Sequence, residues 1–209
     1  MHIKKYGYDI NSTISLVHFC SIMVSIKIKE ATKQAHQELE KTVVLQLKSV
    51  RSEADYARVL KNFYAYFREV EQAVAPYIHS ETLPDIAERR NSSYLKKDIE
   101  ELGSDVSELP LAFAPEIKNL CQAFGALYVL EGSIMGGPYI VQMLQKYGMD
   151  KGFHFFSGYG AESGKMWQAF TQVLNAIPQT EEEEQSMIQA ADETFKRFED
   201  VFARVPSLS

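Results

Sequence analysis

The sequence predicts an all-α protein, a single helical bundle, and three observations carry that expectation. Apolar residues recur at 3.6-residue spacing along almost the whole chain, whereas period-2 alternation is missing. Helix start and stop signals bracket the periodic segments. Each segment has one apolar stripe, and such stripes must bury one another, which a one-core bundle does. A chain of 209 residues is long enough for that core.

The periodic segments follow in order. The spacing predicts a first helix over residues 25–48, with Ile28, Ala31, Ala35, Leu39 and Val43 on one stripe. A second opens at Ser52, where "SEAD" reads as a capping box, and turns Tyr56, Val59, Leu60, Phe63, Phe67, Val70 and Val74 inward until Pro76 stops it. "SSYLKKDIEEL" makes a shorter helix ended by Gly103. A long helix is expected over 115–147, with Pro115 in its first turn and Gly148 as its C-terminal stop. "AESGKMWQAFTQVLNAI" supplies another, with Met166, Phe170, Val173 and Ile177 inward. The last begins at the "EEEE" of 181–184, where four carboxylates suit the positive end of a helix dipole, and buries Met187, Ala191, Phe195, Phe198 and Phe202.

Residues 1–24 stand apart as an N-terminal extension or start-site artefact. Lys4 and Lys5 before "ISLVHFCSIMVSI" loosely resemble a signal sequence, but His18 interrupts the apolar stretch and no small-residue cleavage site follows. Met23 is a plausible natural start, and residues 25–209 form the domain. A net charge of −6 argues against general nucleic-acid binding. No apolar run is long enough for a membrane span. Two cysteines, Cys20 and Cys121, fit a reducing, cytoplasmic setting.

Two features admit a reading beyond packing. His36 lies at the edge of the first apolar stripe, and Glu40 follows at i+4, within reach of an imidazole N–H. No second His or Cys stands at zinc-like spacing, and a single His ligand suits a group that brings most of its own ligands, such as haem. In the 115–147 segment, Gly136, Gly137 and Pro138 interrupt a helical pattern. Pro138 lacks the N–H that would bond Ile134, so a bend is expected there. The paired glycines expose bare backbone, against which a flat ligand can lie. A plain kink or tight helix packing explains the glycines equally well from the residues alone, as an ordinary helix histidine explains His36.

Taken together, these residues resemble the haem oxygenases, specifically the bacterial biliverdin-producing branch associated with bacteriophytochromes. "KEATKQAH" (29–36) is similar to the family's proximal-helix motif, "GALYVLEGSIMGG" (125–137) to its distal-helix motif, and "FSGYGAESGKMWQAF" (156–170) to the segment that follows. The likeness runs over about residues 25–203. It implies a haem-oxygenase-like fold and oxidative opening of haem, both cofactor and substrate, to biliverdin, carbon monoxide and Fe2+ with O2 and external electrons. It further implies His36 as axial iron ligand with Glu40 orienting it, and Gly136 and Gly137 as distal contacts. Lys29 would meet a propionate. Ser133 stands where many members carry an Asp that organises water. Lys165 is a candidate for the second propionate, with Lys196 and Arg197 behind it, while Tyr128 and Phe198 could edge the haem.

The implied partners are an acidic electron donor such as ferredoxin, which Arg89 and Arg90 on an exposed segment would help dock, and a biliverdin acceptor such as a bacteriophytochrome. Two other readings remain: a haem-binding or trafficking bundle without turnover, and a thiaminase-like enzyme, for which Cys121 is the only core nucleophile. The spacing of Cys121 reads as packing.

Overall fold

A computed structural model describes residues 23–203, and among them every regular element is helical. The N-terminal residues 1–22, including Cys20, His2 and His18, lie outside the described residues, as does 204–209. Eight α-helices follow one another: α1 (Val24–Ala31), α2 (Lys33–Ser49), α3 (Glu53–Val74), α4 (Ser92–Glu101), α5 (Leu120–Gly132), α6 (Gly137–Lys146), α7 (Ser163–Ala176) and α8 (Glu181–Ala203).

The capping chemistry explains most boundaries. Ser52 accepts the N–H of Asp55 at 3.2 Å and starts α3 where the capping box places it. Gly103, at φ +74°, ends α4 in the left-handed conformation expected of a C-terminal glycine. Two boundaries differ from the sequence expectation. The single first helix is divided at buried Thr32, whose hydroxyl donates to the Ile28 carbonyl at 2.8 Å, a back-bond that competes with the helix ladder and bends it. The long 115–147 helix starts only at Leu120, because Asn119 accepts the Gln122 N–H at 2.9 Å and outcompetes Pro115 as a starting signal.

That same long helix divides again at the distal motif. Residues Ser133–Met135 form a 3-10 turn and α6 begins anew at Gly137, with Pro138 in its first turn. Pro138 therefore sits where a missing N–H costs nothing. The expected bend is present, but it takes the form of one helix ending and another starting.

α8 is the hub. α5, α1, α2 and α3 all pack on it, and α2 and α5 lean on α8 rather than on each other. α5 approaches α8 with bare backbone: a Cβ on Gly125 would sit 2.2 Å from the Met187 carbonyl oxygen, so only glycine permits this contact. Between α8 and α3 lies an aromatic core. Tyr66 stacks on Phe198 with centroids 4.6 Å apart, and Phe63 meets Phe156, Phe198 and Phe202 edge-on at 5.3, 5.1 and 5.5 Å. Each such ring contributes about 1.5–3 kcal/mol through burial, and edge-to-face pairs add about 0.5–1.5 kcal/mol. The Tyr66 hydroxyl is satisfied by the Thr194 carbonyl at 2.6 Å.

Candidate active site

The proximal side is built on α2. The Thr32 bend sets the direction of the helix, and the His36 N–H bonds the Thr32 carbonyl at 2.9 Å in its first turn. The His36 side chain is 56% exposed, so a ring nitrogen is free for an incoming ligand. One edge of the ring is fixed by Phe195 of α8, with centroids 5.4 Å apart and planes at 87°. Glu40 Oε2 stands 3.9 Å from His36 Nδ1, outside hydrogen-bond range. Its pull on the ring is electrostatic and, at two exposed side chains, weak. Lys29 is exposed in the last turn of α1.

The distal side is the α5–α6 junction. The two glycines do different work. A Cβ on Gly136 would meet nothing nearer than the Ser133 carbonyl at 3.9 Å, so its backbone faces open space. A Cβ on Gly137 would fall 2.0 Å from the Phe156 carbonyl oxygen. Gly137 is therefore needed for packing of α6 on the 152–158 loop. Beside Gly136, Met135 and Tyr139 are exposed, an apolar face that none of the described residues covers. Tyr128 lies half-buried against Trp167, with centroids 5.3 Å apart, and burial raises the pKa of its phenol.

Behind the 3-10 turn lies a buried polar network that sequence reasoning placed on the surface. Arg89 and Arg90 are only 4% and 6% exposed, so neither can dock a partner. Arg89 donates to Glu131 Oε2 at 2.6 Å and to both oxygens of Asp85 at 2.7 and 2.8 Å. Arg90 donates to the carbonyls of Phe155 and Leu130 and to the Ser133 hydroxyl, at 2.9, 3.0 and 2.6 Å. Ser133 in turn donates to the Leu130 carbonyl at 2.6 Å, so its hydrogen is turned back onto α5. Burial pulls the Arg90 guanidinium down to about 10, against the field of Glu131. Burial likewise raises the Glu131 carboxyl, against the opposing pull of Arg89 and Arg90. Tyr159 closes the network from the loop, its hydroxyl accepting the Arg90 N–H at 2.9 Å and donating to Glu131. A cavity of about 320 Å³ adjoins it, lined by Glu71, Arg89, Arg90, Leu127 and Leu130 among others. The missed signal was Glu131: a lone carboxylate in an apolar helix requires a buried cation.

Two further candidates lie elsewhere. Lys165 is 80% exposed and pairs with Glu162 at 3.3 Å. Phe198 is packed within the aromatic core against Tyr66 and Phe63; the α8 aromatic beside His36 is Phe195, one turn earlier.

A flat, largely apolar ligand with one open metal valence fits these residues. His36 offers a nitrogen, and Gly136 leaves room that any side chain would take. Contacts also link the two sides through the core: His36 on Phe195, and Phe198, a turn along α8, on Phe63, then Phe156, whose carbonyl lies under Gly137. Among the described residues no helix is long and apolar enough to cross a membrane.

Comparisons with known proteins bear on the family and the fold. The family model "Heme oxygenase" matches residues 23–204. Heme oxygenase PigA of Pseudomonas aeruginosa is 26% identical over 182 residues, covering 86% of this chain and 91% of that protein. A heme oxygenase of Xanthomonas campestris is 28% identical over 145 residues, covering 68% and 86%. The heme oxygenase of Neisseria meningitidis, solved with NO and CO bound, superposes with a TM-score of 0.75 at 22% identity, covering 90% of this chain and 96% of that one. Heme oxygenase-1 of the cyanobacterium Synechocystis, solved with heme, gives 0.70 at 18% identity, covering 88% and 93%.

Proposed function

This chain belongs to the haem oxygenase family, and from that premise we propose that it opens bound haem oxidatively to biliverdin, carbon monoxide and Fe2+, consuming O2 and electrons from an external donor. The observation that carries the reading is the match of the haem oxygenase family model over residues 23–204, and an accessible imidazole at His36 and a side-chain-free, open turn at Gly136 are in keeping with it. The haem, when bound, supplies the iron that activates O2 and is itself the molecule cut.

The chain's residues do the rest. His36 would hold the iron through a ring nitrogen, with Phe195 limiting rotation of its ring. Gly136 keeps the opposite side free of side chains. Met135 and Tyr139 cover apolar ring edge and exclude water. Arg90 clamps Ser133 and the Leu130 carbonyl, which fixes the shape of the 3-10 turn. With the Ser133 hydrogen committed to Leu130, the Ser133 hydroxyl is not the group that hands a proton to the distal side. Lys29 and Lys165 are the propionate partners in this reading, His36 with Glu40 the proximal pair, and Tyr128 a distal-side wall. A ferredoxin-like reductant and a biliverdin acceptor such as a bacteriophytochrome are the proposed partners. A cytoplasmic setting suits the buried free thiol of Cys121.

The test is spectroscopic. Purified protein is loaded with haem, then given an electron donor in air with catalase present, and verdin absorbance and released carbon monoxide are followed. Stoichiometric verdin and carbon monoxide support the reading. Tight haem binding with neither product sinks it in favour of a haem-binding or trafficking protein.

A further inference from the structure

A second cluster of ligating side chains lies away from His36, where α4 ends against the 152–155 loop. Asp98 and Glu101 are three residues apart on α4, a spacing that puts both carboxylates on one helix face. His154 Nδ1 stands 2.6 Å from Asp98 Oδ1 and 3.5 Å from Glu101 Oε2, and one ligand atom from each residue lies within 4.8 Å of the other two. The loop is locked in place independently. Asp98 accepts the N–H groups of His154 and Phe155, each at 2.8 Å, Glu101 accepts that of Gly152 at 2.9 Å, and Tyr56 donates to the Gly152 carbonyl at 2.6 Å.

The electrostatics of this corner are unbalanced. Asp98 is fully buried, and burial raises its carboxyl above the ordinary value. Both acids occupy the last turn of α4, where the helix dipole is negative and which holds no basic residue. Glu100 is drawn away by Lys96 at 3.7 Å, and Lys151, the base beside the loop, is engaged by Glu53 at 2.9 Å. Three ligand atoms thus converge at this corner with no lysine or arginine among the described residues bonded between them, a position that a metal ion can occupy.

We propose that Asp98, Glu101 and His154 form a divalent transition-metal site of zinc type, which staples α4 to the loop beneath the distal turn. One imidazole nitrogen and two carboxylate oxygens are a common zinc donor set, with water completing a tetrahedron. Metal–ligand bonds of about 2.0–2.2 Å place ligand atoms roughly 3.4 Å apart. The His154–Glu101 separation already matches that spacing. The His154–Asp98 separation, 2.6 Å, must open by somewhat less than 1 Å as the metal enters between the two atoms. His154 and Glu101 are each partly exposed, so the ion has a route in from solvent. The loop it would pin includes Phe155 and runs directly into Phe156, the residue under Gly137.

The full-length, haem-free protein is stripped of metal and titrated with zinc chloride by calorimetry in two buffers of different ionisation enthalpy. One site per chain is expected, with proton release, because the ligating imidazole must be neutral. His154→Ala and Glu101→Gln should each weaken binding on the order of 100-fold, whereas His36→Ala should leave it unchanged. The carboxylate–backbone bonds that order the loop survive His154→Ala, and circular dichroism melting checks that each variant is folded. Absence of a site in the wild type, or equal affinity in wild type and both ligand variants, overturns the proposal and leaves a hydrogen-bonded histidine.

Discussion

Replacing each glycine of the 136–137 pair by alanine separates ligand contact from packing. At Gly137 the new methyl carbon would sit 2.0 Å from the Phe156 carbonyl oxygen and 2.9 Å from its carbon. Ordinary contact lies beyond about 3.4 Å, so α6 or the loop must retreat by more than 1 Å. The Phe156 ring is held by Phe63 and Phe155, so the loop resists that movement. Overpacking of this kind costs about 1–3 kcal/mol. For a domain of this size that lowers Tm by roughly 2–12 °C. At Gly136 the backbone is already right-handed, with φ −85° and ψ −15°, and the space is empty. Gly136→Ala should therefore leave the haem-free protein unchanged or stabilise it by about 0.4–1 kcal/mol, through the less flexible unfolded chain. The same methyl would intrude on a bound porphyrin and weaken haem affinity. Thermal melts without haem and haem titrations on both variants complete the test. Gly137→Ala melting like the wild type, or Gly136→Ala melting low with normal haem affinity, would refute this division of roles.

Further outcomes follow from the same geometry. His36→Ala should abolish verdin formation while shifting haem-free stability by less than about 0.5 kcal/mol, since the side chain is mostly exposed; urea titration beside the turnover assay checks both. Glu40→Gln should alter haem affinity only about two- to five-fold, because the pair is solvent-screened and long. Arg89→Met takes from buried Glu131 its closest cation and should cost about 3–5 kcal/mol by urea titration, and in a cycle with Glu131→Gln the double variant should lose less than the sum of the two single losses; strictly additive losses would contradict the buried pair. Burial raises the Glu71 carboxyl above its ordinary range, against the hydrogen bonds from Ser92. The folded state thus holds that proton more tightly than the unfolded chain, and the wild type loses stability as pH rises from the ordinary carboxylate pKa through the raised one. Glu71→Gln removes that slope, so its stability relative to wild type should improve as pH rises across that window.

The helices were legible because their signals are local. Ser52 caps a helix by reaching three residues ahead, and the stripe of α8 from Met187 to Phe202 is fixed by spacing alone. His36 and the glycine break were legible as departures from such patterns. What depended on distant partners was not. Arg89 and Arg90 look like surface charge until Glu131 arrives from α5, 42 residues after Arg89. The difference between Gly136 and Gly137 rests on the Phe156 carbonyl, and neighbouring glycines look identical without it. Pro115 marked no helix start, because Asn119 caps α5 and its first turn begins at Leu120, whereas helix α6 adopted Pro138 as its own beginning.

The glycine contacts also decide which wall can yield. Where Gly125 meets Met187 and Gly137 meets Phe156, main chain presses on main chain with no side chain between to act as a bearing. Those seams can slide very little, so the α5–α6 wall behaves as a fixed jaw. The opposing wall is two short rods jointed at Thr32, resting on α8 through side chains. The joint at Thr32 lies one turn before His36, so any tilt of α2 on α8 would carry the imidazole with it, while the Gly136 turn would stay with the fixed jaw.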